Sequence, residues 1–280
     1  MLYGVACVGP ADCWAVGISS PFPYQTSEGQ ILHWNGHTWS LVKLPDADSD
    51  ASLFAVQCPA RSECQAIGRL DGNGSGRAVI LRWNGKLWSA VALPLSRASA
   101  LAGLACVSPT DCRIVGNRDG KGEAFHWNGR RWSVAAAPRR EFGSNGLACT
   151  SARNCWTAGK TAAQHWNGAR WSVVATPRKP RVANTGGIAC TWRKNCWAME
   201  EYFGAGGTGL NLAIHWNGTS WSKVSMPQAG GTGPDVGTLL TGVTCTSSSN
   251  CLAVGRASVN SGEDLVNEAV HWNGTRWSAG

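Results

Sequence analysis

One unit recurs six times along the 280 residues, passing through a C-x5-C pair and closing on W-N-G-x-x-W-S. The cysteine pairs are Cys7/Cys13, Cys58/Cys64, Cys106/Cys112, Cys149/Cys155, Cys190/Cys196 and Cys245/Cys251. The tryptophan pairs follow as Trp34/Trp39, Trp83/Trp88, Trp127/Trp132, Trp166/Trp171, Trp216/Trp221 and Trp272/Trp277. First cysteines stand 41 to 55 residues apart, the length of a four-stranded propeller blade at roughly 40 to 50 residues. Helical repeats of that length need long segments of 3.6-residue period, and the chain has none. Charged residues are 15% against a usual value of about 25%, and 47 residues are Gly or Pro, so a helical bundle is excluded. No apolar run approaches the roughly 18 residues of a membrane helix, and 16 tryptophans make disorder untenable.

Each unit reads as four strands, a to d, placed in the first copy at Leu2 to Cys7, Cys13 to Ile18, Gln30 to Trp34 and Trp39 to Leu44. Asn-Gly between c and d is expected to supply two residues of positive φ for a tight hairpin. Strand a carries Gly4/Val5/Ala6, Gly103/Leu104/Ala105, Gly146/Leu147/Ala148 and Gly187/Ile188/Ala189, small on one face and bulky on the other, as stacked sheets require. The expected fold is all-β, a six-bladed β-propeller of four-stranded antiparallel blades. It forms one domain over 1–280, with blades near 1–50, 51–99, 100–142, 143–184, 185–238 and 239–280.

Twelve cysteines at one invariant spacing, each pair bracketing an a–b hairpin, read as six cross-strand disulfides. Zinc competes, but its sites use C-x2-4-C spacing with a second Cys/His pair nearby. Disulfides place the chain outside the reducing cytosol, secreted or at the cell surface. Residues 1–20 read as a first strand rather than a leader, so a secretion signal is expected to have been removed, or the chain is a fragment.

Cys13-Trp-Ala-Val-Gly17, Ile31-Leu-His-Trp-Asn-Gly36 and Thr38-Trp39 resemble the repeat of bacterial Asp-box-type propellers, including the photosystem assembly-factor propellers. The resemblance runs through all six copies. It departs where Asn-Gly replaces the Asp-box aspartate and at the cysteines, which that family does not require. It implies the fold. The wider group includes sialidases, tectonin-like lectins and assembly factors, among which fold does not choose.

C-x5-C and W-x4-W never vary, whereas the gap from second cysteine to first tryptophan runs from 11 to 21 residues. Variation therefore falls on the b–c and d–a connections, which emerge together at one edge, the better candidate for function. The loops are 19–29, 69–78, 117–123, 202–211 and 256–268, and the linkers 46–52, 95–100, 139–145, 178–186 and 228–239. The paired tryptophans are expected to pack on each other and on the next blade, although exposed aromatics also serve as sugar platforms. Trp14, Trp156 and Trp197 follow the second cysteine in three copies only, and Trp192 stands inside an a–b hairpin, where exposure is expected. His33, His126, His165, His215 and His271 precede the turn tryptophan, with Arg82 in the sixth place. Spacing around the blades keeps such histidines more than roughly 10 Å apart, so local hydrogen bonds are expected and no metal.

Net charge is +8, concentrated in Arg130, Arg131, Arg139, Arg140, Arg178, Lys179, Arg181, Arg193 and Lys194, which suits a solvated surface or an anionic surface polymer. H-E-x-x-H, G-x-S-x-G and phosphate-loop motifs are absent. Glu200-Glu201-Tyr202 replaces the glycine that ends strand b elsewhere (Gly17, Gly68, Gly116, Gly159, Gly255). It could supply the Tyr–Glu pair of a sialidase-like site, whose arginine triad is not identifiable here. The expectation is a non-catalytic, cofactor-free, monomeric binder of an extracellular glycan or anionic surface polymer. A protein–protein scaffold and a sialidase-like glycoside hydrolase are the alternatives, and nucleic acid is disfavoured by compartment. Candidate ligand residues are Glu200, Glu201, Tyr202, Trp197, Arg178 and Arg181.

Overall fold

The computed structural model describes all residues except 20–27, 46–50, 71–75, 95–99, 139–145, 160–161, 178–181, 205–206, 234–235 and 260–263. The elements among the described residues are strands, and no helix is long and apolar enough to cross a membrane. The chain divides into two compact units, Met1–Arg140 and Glu141–Gly280.

In the first unit, β1 (Leu2–Gly9), β2 (Asp12–Ser19), β3 (Glu28–Trp34) and β4 (Trp39–Val42) form the first sheet. The second is β5 (Ala51–Ala60), β6 (Glu63–Leu70), β7 (Arg77–Trp83) and β8 (Trp88–Ala90), and the third β9 (Ala100–Ser108), β10 (Asp111–Arg118), β11 (Lys121–Trp127) and β12 (Trp132–Val134). In the second unit, β13 (Ala148–Ser151), β14 (Asn154–Ala158), β15 (Ala163–Trp166) and β16 (Trp171–Val174) form the fourth. The fifth is β17 (Val182–Trp192), β18 (Asn195–Phe203), β19 (Gly209–Trp216) and β20 (Trp221–Val224), and the sixth β21 (Gly237–Ser247), β22 (Asn250–Val259), β23 (Asp264–Trp272) and β24 (Trp277–Ala279). One parallel bridge, Gly209 to Gly237, joins the fifth sheet to the sixth. Every sheet is an antiparallel a-b-c-d meander, and the strands of the first copy lie within two residues of their expected bounds.

Five of the six a–b hairpins set their two cysteines opposite one another, a register shift falls at Cys58 in the second, and all six disulfides form between residues six apart. Each c–d hairpin sets its tryptophans opposite one another, with ring centroids 5.7 to 6.0 Å apart. The turn between them corrects the sequence expectation. Only its glycine has positive φ, 89° to 101°, and the asparagine does not. W-x4-W leaves four residues in the loop, so the Asn35 side-chain carbonyl instead accepts from the amides of His37 and Thr38, a bond pattern repeated in every copy. The first tryptophan of each pair then donates its indole N–H to a carbonyl in the a–b turn, as Trp34 does to Pro10 at 3.1 Å. The a–b and c–d turns of a blade thus share one edge, and the b–c and d–a connections leave from the other.

The apolar core lies in layers between consecutive sheets of a unit. Trp14 packs on Trp83 and Trp88 at 4.8 and 5.3 Å, Trp156 on Trp216 and Trp221 at 4.6 and 5.4 Å, and Trp197 on Trp272 and Trp277 at 4.6 and 5.3 Å. Gln65, which replaces tryptophan in the second copy, accepts the indole N–H of Trp132 at 3.1 Å. Within each unit the tryptophan pairs of the second, third, fifth and sixth blades therefore pack on the preceding blade rather than the following one. On strand a, a side chain at Gly4 would press on the backbone of Ala55, and one at Gly187 on Gly242 and Val243. Glycine there lets neighbouring inner strands approach closely.

Candidate functional site

The histidines resolve into a local pairing rule. His33 bonds Asp12 at 3.0 Å, His126 Asp111 at 2.9 Å, His165 Asn154 at 2.7 Å, and His215 and His271 bond Asn195 and Asn250 at 2.6 Å. Each partner is the residue before the second cysteine. Where arginine replaces histidine the partner becomes glutamate, and Arg82 Nε reaches Glu63 at 2.7 Å. That bond holds the guanidinium charged, above the ordinary arginine value. Burial pushes His165 and His215 below the usual imidazole range. Trp14, Trp156 and Trp197 stack over His33, His165 and His215 at 4.3 to 4.4 Å. Among the described residues no group of three His, Cys, Asp or Glu could hold a metal ion.

At the b–c and d–a edge, the fifth blade departs from the others in the pairing of strands a and b. In the first, second, third and sixth blades strand a bulges by one residue, at Tyr3, Phe54, Ala102 and Thr241. Opposite that bulge, a Cβ on Gly17, Gly68, Gly116 or Gly255 would collide with the carbonyl of Met1, Ser52, Ala100 or Leu239. In the fifth blade Thr185 faces Glu200, the pairing then skips both Gly186 and Gly187 opposite Met199, and a side chain at Gly186 would meet the Leu240 carbonyl of the sixth blade. With this wider irregularity on strand a, strand b carries Glu200 at the glycine position, followed by Glu201 and Tyr202.

These three do not converge, because successive side chains leave a strand on opposite faces. Glu200 is 2% exposed, Glu201 and Tyr202 are half-buried, and Phe203 is exposed. Glu201 accepts from the Asn184 amide and lies over Gly209. Glu201 and Tyr202 thus point apart, and they do not form the adjacent pair a sialidase-like site would use. Trp197, a candidate ligand residue on sequence, is 1% exposed and sits in the layer between the fifth and sixth blades, so it contributes packing and no surface. Arg178 and Arg181 lie outside the described residues, as do most of the variable loop tips. On the opposite edge Trp192 is 63% exposed, as expected.

No feature of the repeat signals the buried polar cluster at Asn211, which pairs with Glu201 across β18 and β19. Asn211 donates to both carboxylate oxygens of Glu268 at 3.0 Å, while its own backbone N–H bonds Gln228 at 2.8 Å and Thr238 at 3.1 Å. Burial raises the Glu268 pKa above its ordinary value, against hydrogen bonds from Asn211 and the Ala229 amide that lower it. A carboxyl so raised stabilises the fold fully below the ordinary glutamate pKa, and that contribution is lost as pH rises through the folded value. Glu268→Gln is therefore expected to raise the melting temperature more at pH 7 than at pH 4 relative to the parent. A difference independent of pH in thermal melts would exclude this origin.

No protein-family model and no curated protein matches the sequence. Among solved structures the chain is similar to YCF48 bound to a D1 peptide, at 12% identity over 99% of this chain and 81% of that one, with a TM-score of 0.65. It is likewise similar to YCF48 from Cyanidioschyzon merolae, at 12% identity, 100% and 84% coverage and a TM-score of 0.60. The fucose-specific lectin from Aleuria aurantia gives 12% identity, 100% and 94% coverage and a TM-score of 0.60. At such identity these likenesses show the fold alone, and the fold is a β-propeller.

Proposed function

We propose that the six blades make a single six-bladed propeller that acts outside the reducing cytosol as a monomeric, non-catalytic binder of carbohydrate, through the edge carrying the b–c and d–a connections. The observation that supports this most is the departure from glycine on strand b of the fifth blade. Strand b of the fifth blade carries Glu200 at the position of Gly17, Gly68, Gly116, Gly159 and Gly255, and half-buried Glu201 and Tyr202 follow it toward that edge. A rigid disulfide-bonded scaffold presenting variable loops is the usual arrangement of a recognition surface. The similar lectin is fucose-specific, and its fold is described as six-bladed. The second reading, a protein-binding scaffold, draws on the D1 peptide held by the similar YCF48.

A glycan array probed with the full chain tests the proposal. Clear hits are expected, with Tyr202→Ala and Glu201→Ala each lowering affinity for a neutral-glycan hit by about tenfold, near 1.4 kcal/mol, at unchanged melting temperature. An array without neutral-glycan hits would overturn carbohydrate binding at this edge. Hydrolysis of a fluorogenic sialoside, abolished by Tyr202→Phe, would overturn the non-catalytic reading.

A further inference from the structure

The edge formed by the a–b and c–d turns differs between the two units in charge. In the first unit each a–b turn ends on a carboxylate, Asp12, Glu63 or Asp111, held by His33, Arg82 or His126. In the second unit the same hydrogen bond is made by neutral Asn154, Asn195 and Asn250, whose amides also donate to Thr150, Thr191 and Thr246 at 2.6 Å. The bond is retained and the negative charge is gone. No Asp or Glu occurs in any of the six turns of the second unit, while Arg153, Arg170, Arg193, Lys194 and Arg276 stand there exposed. With His165 and His215 held toward the neutral form by burial, the positive charge of this edge rests on the arginines and the lysine.

A second observation points to what meets that charge. Two residues after the first cysteine, five copies have Gly9, Ala60, Ser108, Ser151 or Ser247, and the fifth has Trp192. The hairpin needs only a small residue at this place, yet the indole is mostly in solvent and is followed directly by Arg193 and Lys194. The Trp216 indole fixes this turn through the Arg193 carbonyl at 3.2 Å, and the Lys194 stem runs over Gly218. Trp156 against Trp216 and Trp221 brings the fourth blade's turns, with Arg153 and Arg170, alongside, at the sheet-to-sheet distance of about 10 Å. An indole face takes the apolar face of a sugar ring, and guanidinium or ammonium groups on either side take its carboxylate, sulfate or phosphate.

We propose that this edge of the second unit binds an acidic polysaccharide, one sugar stacked on Trp192 and the anionic groups along the chain held by Arg193, Lys194, Arg153 and Arg170. The site is separate from the b–c edge and stands without it. Nucleic acid presents the same charge, but the disulfides point to an oxidising environment in which a glycan polymer is the fitting polyanion.

The test is calorimetric titration of the full chain with heparin oligosaccharides and with oligogalacturonate, at low and high salt, beside polyglutamate and a single-stranded DNA oligonucleotide. At least one acidic glycan is expected to bind more tightly than the other two polyanions. Trp192→Ala should cost about tenfold, and Arg193→Ala/Lys194→Ala should weaken binding and flatten its salt dependence. Asn154→Asp/Asn195→Asp restores the carboxylates of the first unit and keeps both hydrogen bonds, because threonine can donate as well as accept. It should weaken binding at unchanged melting temperature. Lys86→Ala, on a turn of the first unit, should leave affinity unchanged. Absence of binding, or equal binding of all four polyanions with no effect of Trp192→Ala, would overturn the proposal. Neutral-glycan binding on the array reads the other edge and decides nothing about this one.

Discussion

Reduction of the six disulfides is expected to lower the melting temperature more than any single side-chain change in this chain. Each bond closes a short a–b hairpin, for which the chain-entropy model gives about 2 kcal/mol. Six such terms together rival the whole stability of an ordinary domain, about 5–15 kcal/mol. The cysteines also sit where the layers between blades begin: Cys64, Cys112, Cys155, Cys196 and Cys251 are essentially inaccessible. Their opening would leave thiols inside packed sheets as well as freeing the hairpins. Mass measurement after alkylation without reductant should find no free thiol, peptide maps should link only residues six apart, and calorimetry after complete reduction should show collapse of the transition. A fully reduced chain that melts within a few degrees of the oxidised one would refute this account.

The features legible in the sequence are those that repeat. Cys-x5-Cys and Trp-x4-Trp each encode a contact within one hairpin, so six copies announced six disulfides, six ring pairs and the four-stranded unit. The turn was misread because Asn-Gly signals a two-residue hairpin, whereas four residues separate the tryptophans, and the length of the loop made Asn35 an acceptor. Contacts within a copy that break the repeat were legible as paired departures. Arg82 with Glu63 changes two positions of the second copy together, and comparing the copies with one another would have found it. Asn211 with Glu268 joins two blades through residues without counterparts in the other copies, so periodicity carried no trace of it. The loop tips at the variable edge repeat least, and for that reason the sequence could rank that edge without composing a site on it.

Trp197→Ala is expected to cost about 3–5 kcal/mol, the range for a large aromatic removed from a core. The ring is enclosed by Trp272, Trp277 and His215, so the neighbouring sheet cannot collapse into the space left without disturbing the tryptophan pair and the Asn195–His215 bond. Its indole N–H has no hydrogen-bond partner, so the loss is one of packing, and Trp197→Phe should recover a good part of it. Trp39 is the informative contrast. It occupies the repeat position of Trp88, Trp132, Trp221 and Trp277, yet within its own unit no sheet precedes it and it is 46% exposed. Trp39→Ala should therefore cost about 1 kcal/mol or less, the scale of a surface change. Denaturant unfolding of the two variants separates the effects. Equal losses would mean that Trp39 is buried in solution, and a small loss for Trp197→Ala would mean that the layer between the fifth and sixth blades is not the packed core described above.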